Sequence, residues 1–472
     1  MQNDSSIISG KESGPLPNNL KPLFKNLKLK MMNLKNKVLI FLLMIVAFPA
    51  WAQQANDTVL SLPTATQITM QNNYDIQIAK NNIRIAENNA GILNSGYLPA
   101  LVGNAGGNYS NNNTDLTYTT GDEVSRDGAV SKTYNASLGL NYRLFDGMNR
   151  HYNYKVLKAD YSLSELRARA LIENMLIALI RSYYEVANLT SRIENITRTL
   201  IVSNTRYNYV KDQHFYGQAT QLDLLNSEVD LNNDSINFIN TTRELELAMN
   251  NLRVILSIEM DNSFAVDTTV IFAANVEKNQ LLESALNRNV DYLIAQQNQG
   301  ISSLLIKQSK AGYIPTLDIN GKYGVSGLNN DVGTLLAQNT TGFSAGISLN
   351  WNIFDGGRTR TNQLNAEIAL DNTNQQLAQS KIELERQVAD AWSNYSNALF
   401  ILRTEEKNKE TNRLNFSRSG EMYRLGQISS IDFRKAQVDL EDSINRYNQA
   451  LYFAKIAELD LMKLAGLFLE EM

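Results

Sequence analysis

The sequence predicts an α+β membrane protein: each chain supplies four strands to a β-barrel that several chains complete, and the barrel is continued by long coiled-coil helices. Three observations carry that expectation. A leader-like apolar segment lies near the N-terminus, one order of motifs occurs twice, and each occurrence holds two alternating strand-like stretches followed by a long run without proline.

The apolar segment runs from Val38 to Phe48. Lys28, Lys30, Lys35 and Lys37 precede it, and Ala50-Trp51-Ala52 follows. A basic start, a short apolar middle and an A-x-A site describe a secretory signal peptide cleaved before Gln53. A membrane anchor would need about 20 apolar residues. Because Met31 and Met32 stand where such a signal starts, residues 1–30 are expected to be an upstream extension or a mis-assigned start, and 31–52 the signal. Residues 53–472 then carry 37 basic against 46 acidic side chains, a formal charge of −9.

That balance leaves no basic footprint for nucleic acid. The chain has no Cys, so a disulfide scaffold, a thiolate metal site and a cysteine nucleophile are excluded. His151 and His214 are the two imidazoles, with no second one near either, and both read as surface residues. No P-loop and no dinucleotide fingerprint is present. No catalytic, cofactor or metal residues are expected, and an enzyme is not indicated.

The repeat is long. Gly96-Tyr97-Leu98-Pro99 returns as Gly312-Tyr313-Ile314-Pro315, and Leu144-Phe145-Asp146-Gly147 as Ile353-Phe354-Asp355-Gly356. Gly217-Gln218 with Asp223 returns as Gly426-Gln427 with Asp432, and Asp234-Ser235-Ile236-Asn237 as Asp442-Ser443-Ile444-Asn445. A fixed order at a near-constant offset marks internal duplication. The expected organisation is a first repeat over 53–258, an inter-repeat segment over 259–280 and a second repeat over 281–472.

Each repeat opens with a helical segment, 64–95 and 279–311. Gly96 with Pro99, and Gly312 with Pro315, end it in a helix-to-strand turn, because proline disfavours helical geometry in the residue before it. Ala136, Leu138, Leu140, Tyr142 and Leu144 then alternate with polar residues, as do Phe343, Ala345, Ile347, Leu349, Trp351 and Ile353. Leu317, Ile319, Tyr323 and Val325 do the same, and 101–109 is a weaker, glycine-rich stretch. A period of two gives one apolar and one polar face. Ser110–Lys132 and Ser326–Gly342 read as long polar loops between strands of about ten residues.

Asp146 and Asp355 read as helix N-caps. The proline-free stretches 147–213 and 356–422 would each extend about 100 Å as helix. Leu384, Val388, Ala391, Tyr395, Ala398 and Leu402 step at coiled-coil spacing, and Leu440, Ile444, Tyr447, Leu451, Ala454, Leu461 and Ala465 hold the same register around Glu458. Gly217 and Gly426 turn each long helix back into a shorter one, 218–258 and 427–466.

Strands apolar on one face and polar on the other fit a soluble sheet or a membrane barrel. The helices already spend their apolar stripes on one another, which favours the barrel, apolar face to lipid. Backbone groups cannot be left unpaired in hydrocarbon, so the sheet must close. Four strands are too few, and two copies would give eight strands, three copies twelve.

The order of signal, helix, Gly-Tyr-x-Pro, strands, Phe-Asp-Gly, long helix and Gly-Gln turn, given twice over 60–470, resembles the TolC family of outer-membrane efflux channels. The resemblance implies a homotrimer: a trimeric twelve-stranded outer-membrane β-barrel with four strands per chain, continued by a long periplasmic α-helical coiled-coil barrel in a Gram-negative bacterium. It implies contact with outer-membrane lipid, docking to a periplasmic adaptor protein and an inner-membrane pump, and passive conduction of cargo out of the cell. The adaptor-docking turns would be Tyr216–Asp223 and Leu425–Asp432, with Gly217, Gln218, Thr220, Gly426, Gln427 and Ser429. The periplasmic gate would hold Tyr423, Asp432 and Asp223, Lys435 standing where the family has a second acid and Asn226 at the equivalent place in the first repeat. For Asp223 and Asp432 a helix N-terminal acid favoured by the dipole is the competing reading. The alternatives in function are the outer-membrane component of a type I polypeptide secretion system, a stand-alone diffusion porin, or a soluble coiled-coil protein.

Overall fold

The computed structural model describes residues 59–261, 264–272 and 278–470, so the expected extension and signal peptide lie outside the described residues. The chain begins with a short strand β1 (Val59–Leu60) and helices α1 (Leu62–Asn72) and α2 (Tyr74–Asn89). Strands β2 (Ala100–Thr117) and β3 (Glu123–Phe145) follow, then helices α3 (Asn149–Phe215) and α4 (Gln221–Leu256). A second short strand β4 (Ala265–Val266) precedes helices α5 (Lys278–Arg288) and α6 (Val290–Ser309). Strands β5 (Thr316–Asn330) and β6 (Ala337–Asn350) and helices α7 (Arg358–Arg424) and α8 (Ser430–Leu464) complete the order.

Helices α3 and α7 are 67 residues each, and their bounds fall within two residues of those read from the sequence. The opening helical segments differ from expectation, because each is two helices. Asn73 and Asn289 sit extended between them and accept backbone N–H bonds from the helix that follows. An asparagine that caps in this way ends one helix and starts the next.

The strands correct the sequence reading most. They run to 18, 23, 15 and 14 residues, and what reads as loop between Ser110 and Lys132 is mostly strand. Only residues 118–122 turn between β2 and β3, and only 331–336 between β5 and β6. The reason is physical. From Asn111 outward both faces carry polar residues, so no alternation marks the strand, yet the backbone ladder continues to Thr117 opposite Glu123. The last strand is shorter than read, since β6 ends at Asn350 and leaves Trp351 and Ile353 outside it.

The sheet order is β2-β3-β5-β6, antiparallel throughout, so β2 and β6 each keep one edge without a partner among the described residues. Register brings Leu101 opposite Leu140, Gly103 opposite Leu138, Tyr142 opposite Ile319 and Ile319 opposite Ile347, which gathers the apolar face. That face is bare: Phe343 is 72% exposed and Ile347 70%. From Leu101 to Tyr109 it covers roughly 26 Å of strand at about 3.3 Å per residue, comparable with the lipid-facing band of a bacterial barrel once tilt is allowed for. At its upper rim the Tyr134 ring lies over Gly327, where an added Cβ would run into the ring at Cζ, and its hydroxyl donates to Asn339 Oδ1 at 2.9 Å.

The helices hold two neighbouring cores. In one, Leu176, Leu179, Ile180 and Tyr183 of α3 meet Leu252 and Leu256 of α4, together with Leu60, Val266 and Phe468. In the other, Leu384, Val388, Tyr395 and Ala398 of α7 meet Ala454, Ala457 and Leu461 of α8 and Leu281 and Ala285 of α5. On α7 the register read from the sequence is the one buried here; on α8 it holds at Ala454, Leu461 and Ala465, while toward the tip Leu440, Ile444, Tyr447 and Leu451 are half-buried and Ser443 and Ala450 are buried instead. Glu458, its apparent interruption, is fully buried and paired with Lys455. Helix α3 packs on α4 and α8, and α8 on α7, so α4 and α7 form the edges of the distal helical layer. Among the described residues no helix is long and apolar enough to cross a membrane.

Candidate functional site

The two hairpin tips are built from one local code. Helix α3 ends at Phe215, and Gly217 at φ +76° lets its N–H donate to the His214 carbonyl at 3.0 Å while Gln218 N–H reaches the Gln213 carbonyl at 2.7 Å. Helix α7 ends at Arg424, and Gly426 at φ +69° repeats both bonds to the carbonyls of Tyr423 and Met422. A left-handed residue at this place closes the last carbonyls of a helix, and glycine takes it without strain. Three residues on, Thr220 and Ser429 start the return helices in reciprocal capping boxes with Asp223 and Asp432.

Both expected gate carboxylates are therefore occupied locally. Asp223 Oδ2 accepts from the Thr220 hydroxyl at 2.6 Å and its N–H at 3.0 Å, and Asp432 Oδ2 from the Ser429 hydroxyl at 2.7 Å. The Thr220 hydroxyl, with its backbone N–H, holds Asp223 below the usual carboxylate value. The helix-start reading of these acids is thus present in the geometry. Gln218 and Gln427 are exposed at the turns. Phe215, Tyr216 and Leu425 stand out from the tips at 83%, 74% and 72% exposure.

Tyr423 lies just inside the second tip. Its ring stacks on Phe433 (5.0 Å between centroids) and meets Tyr209 edge-on at 5.7 Å, while Phe416 stacks on the far side of Phe433 at 5.4 Å. Burial pushes the Tyr423 phenol up from its ordinary value. These rings, with Ile201, Val202 and Arg206, line a groove of about 530 Å³ between α3 and α7.

Beneath the rings lies a buried polar cluster that reading the sequence missed. Arg434 of α8 donates to both oxygens of Asp234 on α4, at 2.7 and 2.6 Å, and Ser203 of α3 donates to Asp234 at 2.5 Å. Arg206 of α3 pairs with Asp230 at 2.6 Å, and Gln437 donates to Ser203 and to the Thr199 carbonyl. A signal existed: Ile196, Thr199, Ser203, Arg206 and Val210 keep the 3-4 spacing of a coiled-coil core with polar residues in the middle. The repeat also needs one correction here. Helix starts and turns correspond at an offset of 209, which sets Asp234 against Ser443, both buried, and leaves Asp442 exposed; the likeness of Asp234–Asn237 to Asp442–Asn445 is one residue out of structural register.

At the other end, Pro99 and Pro315 directly precede β2 and β5. Gly96 takes φ +75°, whereas Gly312 lies in a short 3-10 turn, Lys310–Tyr313, close against the Thr359 hydroxyl. The cap positions read from the sequence shift by two. Met148 and Gly357, both left-handed, are the N-cap residues of α3 and α7. Asp146 and Asp355 still satisfy first-turn donors from upstream, accepting from Arg150 N–H at 3.0 Å and Thr359 N–H at 2.9 Å. Arg150, unnoticed in the sequence, binds Asp146 and the carbonyls of Gly96 and Leu144 at once, tying helix, strand and turn together. His151 packs edge-on to Tyr152, and His214 Nδ1 lies 3.0 Å from the Ala219 carbonyl.

The chain is similar to proteins already known. BepC, an outer membrane efflux protein of Brucella suis, is 22% identical over 407 residues, covering 84% of this chain and 83% of that protein. The outer membrane protein TolC of Vibrio cholerae is 20% identical over 306 residues, 63% of this chain and 69% of its own. Among solved structures, the CmeC outer membrane channel of Campylobacter jejuni superposes with a TM-score of 0.72 at 15% identity, covering 89% of this chain and 90% of CmeC. The sequence model for outer membrane efflux proteins matches twice, over 65–257 and 281–467, and with these two stretches accounting for most of its length the chain belongs to the outer membrane efflux protein family.

Proposed function

We propose that this outer-membrane efflux channel works as a homotrimer, the exit duct of a tripartite system completed by a periplasmic adaptor and an inner-membrane pump. The observation that carries the proposal is the pair of unsatisfied edges on each chain. Among the described residues strands β2 and β6 have no second neighbour, and backbone groups cannot stay open at membrane depth. Three copies joined β6 to β2 make twelve strands. The helical layer has edges to match. Helix α4 exposes Leu222, Leu225, Val229, Ile236 and Ile239, and α7 exposes Leu364, Ile368, Ile382, Phe400 and Leu414. Charge favours the same pairing near the tips: with Asp230 and Asp234 already paired inside the chain, residues 221–242 offer Asp223 and Glu228 and no base, whereas 414–424 offer Arg418 and Arg424 against Glu421.

In this reading residues 53–258 and 281–472 are the two repeats of the exported chain, joined by 259–280 at the equator. Residues 31–52 direct export. The exposed apolar tips at Phe215, Tyr216 and Leu425, with Gly217, Gln218, Thr220, Gly426, Gln427 and Ser429 shaping the turns, meet the adaptor. Asp432, with Asp223 and Tyr423, narrows the entrance. A ring of like charges at a constriction attracts counter-ions, so the pore prefers cations. Recording single channels of purified protein in planar bilayers tests this. Wild type is expected to conduct with a cation preference that falls in Asp432→Asn, whose amide keeps the capping bond. A water-soluble protein with no conductance sinks the channel, and an unchanged preference removes Asp432 from the gate.

A further inference from the structure

Acid outnumbers base along the exported stretch 53–472, yet one level of the molecule is the reverse. Residues 147–158 carry Arg150, His151, Lys155 and Lys158 with no acid. Residues 305–316 carry Lys307 and Lys310, and 356–366 carry Arg358 and Arg360, again with none. These stretches are the start of α3, the end of α6 with its turn into β5, and the start of α7, so all three lie where helices meet strands. The neighbouring acids are spent. Asp146 binds Arg150, Asp318 binds Arg143, and Asp355 accepts from the first turn of α7. Asp160, the next acid along α3, is half-buried. Lys155, Lys158, Lys307, Lys310, Arg358 and Arg360 are exposed, and among the described residues none of the six has an ion pair.

Part of this belt faces outward. Trp351 continues the apolar face of β6 past its end, and its indole donates to the Tyr313 carbonyl at 3.2 Å, which sets the Lys310–Tyr313 turn on the lipid side. Tyr142, on the same face of β3, lies 6.0 Å from the Arg150 guanidinium, which covers the Tyr97 ring at 5.1 Å. Tyr97 meets Tyr154 edge-on at 6.2 Å, and the Lys158 ammonium lies over Tyr154 at 4.5 Å. A ladder of rings and cations thus descends the outside of the protein from the barrel onto α3, and Lys155 shares its face. Beside it, in the turn before β2, Leu93 and Leu98 are exposed. Amphipathic rings at a barrel's end mark the level where hydrocarbon gives way to headgroups. The bases follow at headgroup depth. Lys155 and Lys158 lie about 8 and 12 Å along α3 from Arg150. Helical side chains lean toward the helix start, here toward the membrane, and a lysine carries its ammonium beyond its apolar stem. The other end of the same strands has the opposite balance, Asp115, Asp122, Glu123 and Asp127 against Arg126.

We infer that this belt is a binding site for anionic phospholipid of the periplasmic leaflet, whose phosphates supply the acids that the belt lacks. Lys155, Lys158, Lys307 and Lys310 hold the headgroups, and the rings above them pack on the upper part of the acyl chains. A zwitterionic headgroup brings its own ammonium, which offsets the attraction, so the site discriminates by net charge. This rests on the outer-membrane barrel described above, and the test separates the two.

Trp351 stands at the level of the belt and reports which lipid lies beside it. Purified protein is inserted into phosphatidylcholine vesicles containing a minor fraction of brominated phosphatidylglycerol or, in a parallel set, the same fraction of brominated phosphatidylcholine. Bromine quenches tryptophan at contact range, and Trp392, far along α7, is out of its reach. Quenching by the anionic lipid is expected to exceed that by the zwitterionic one about three-fold or more. The excess should vanish in Lys155→Gln/Lys158→Gln/Lys307→Gln/Lys310→Gln and return when the same four positions carry Arg. Lys158→Gln/Lys310→Gln, which should halve it, serves if the fourfold variant does not insert. Quenching by brominated phosphatidylcholine should be unchanged in every variant that inserts. Equal quenching by the two lipids in wild type, or an excess that survives the fourfold change, overturns the inference while the inserted barrel stands. A wild type quenched by neither lipid overturns the barrel reading and this inference with it.

Discussion

Tyr134 crosses the β5 backbone at Gly327 to reach Asn339 on β6, so one side chain spans three strands. Only a residue without Cβ permits that path. Gly327→Ala is expected to destabilise the sheet by about 1–3 kcal/mol, the usual cost of forcing an extra methyl into a filled site, seen as a lower urea midpoint for the folded protein. Adding Tyr134→Ala should recover part of the loss, and a Gly327→Ala protein as stable as wild type would show that the ring does not lie there. Single residues were unevenly legible in the sequence. Gly217, Gly426, Thr220 and Ser429 could be read because a left-handed turn and a capping box need those residue types at those places. Tyr134 and Arg150 could not, because their partners lie on other elements and nothing in their neighbours announces them.

Elements were legible where the physics is local or periodic. Helices α3 and α7 follow from long proline-free stretches, with a coiled-coil spacing from Leu384 to Leu402 added on α7, but polar faces on both sides of the outer strands carry no period, and the breaks at Asn73 and Asn289 hide inside a helical pattern. Where elements meet, charge decides the outcome. Glu173 of α3 is buried against Arg169, which also reaches the carbonyls of Arg288 and Gly466 and so joins α3 to α5 and to the chain's end. Burial raises the Glu173 carboxyl above its ordinary value, against the opposing pull of Arg169. Its folded form holds a proton more readily than its unfolded form. The stability linked to that proton is complete below the unfolded value near 4.5 and is lost as pH rises through the raised one. Urea midpoints at pH 5 and pH 7.5 should therefore differ less in Glu173→Gln than in wild type. Arg169→Ala, which strands a buried carboxylate, should cost about 3–5 kcal/mol at neutral pH. Equal pH dependence in wild type and Glu173→Gln would show that this carboxyl does not titrate in the window.

At the scale of the whole molecule, the proposed trimer makes each chain a segment of a wall, joined through edges of sheet and helical layer that stay open among the described residues. Ile236→Asp with Ile239→Asp places charge on the exposed stripe of α4 while leaving the nearest buried positions of that helix, Asp234 and Thr241, untouched. The expected result is a detergent-solubilised particle of one protomer mass, with helix content retained by circular dichroism, against three times that mass for wild type. A variant that still sediments as the wild-type particle would place the interface elsewhere.

The two bare strand edges also set the hazards of biosynthesis. A newly exported polypeptide carries 18 residues of open ladder on one flank and 14 on the other, and any extended segment it meets can pair there. Its fate as a lone molecule is a race between sister copies and strangers. Scarcity, rather than heat, is then the condition that most endangers it, and folding yield should climb faster than in proportion to the rate of supply.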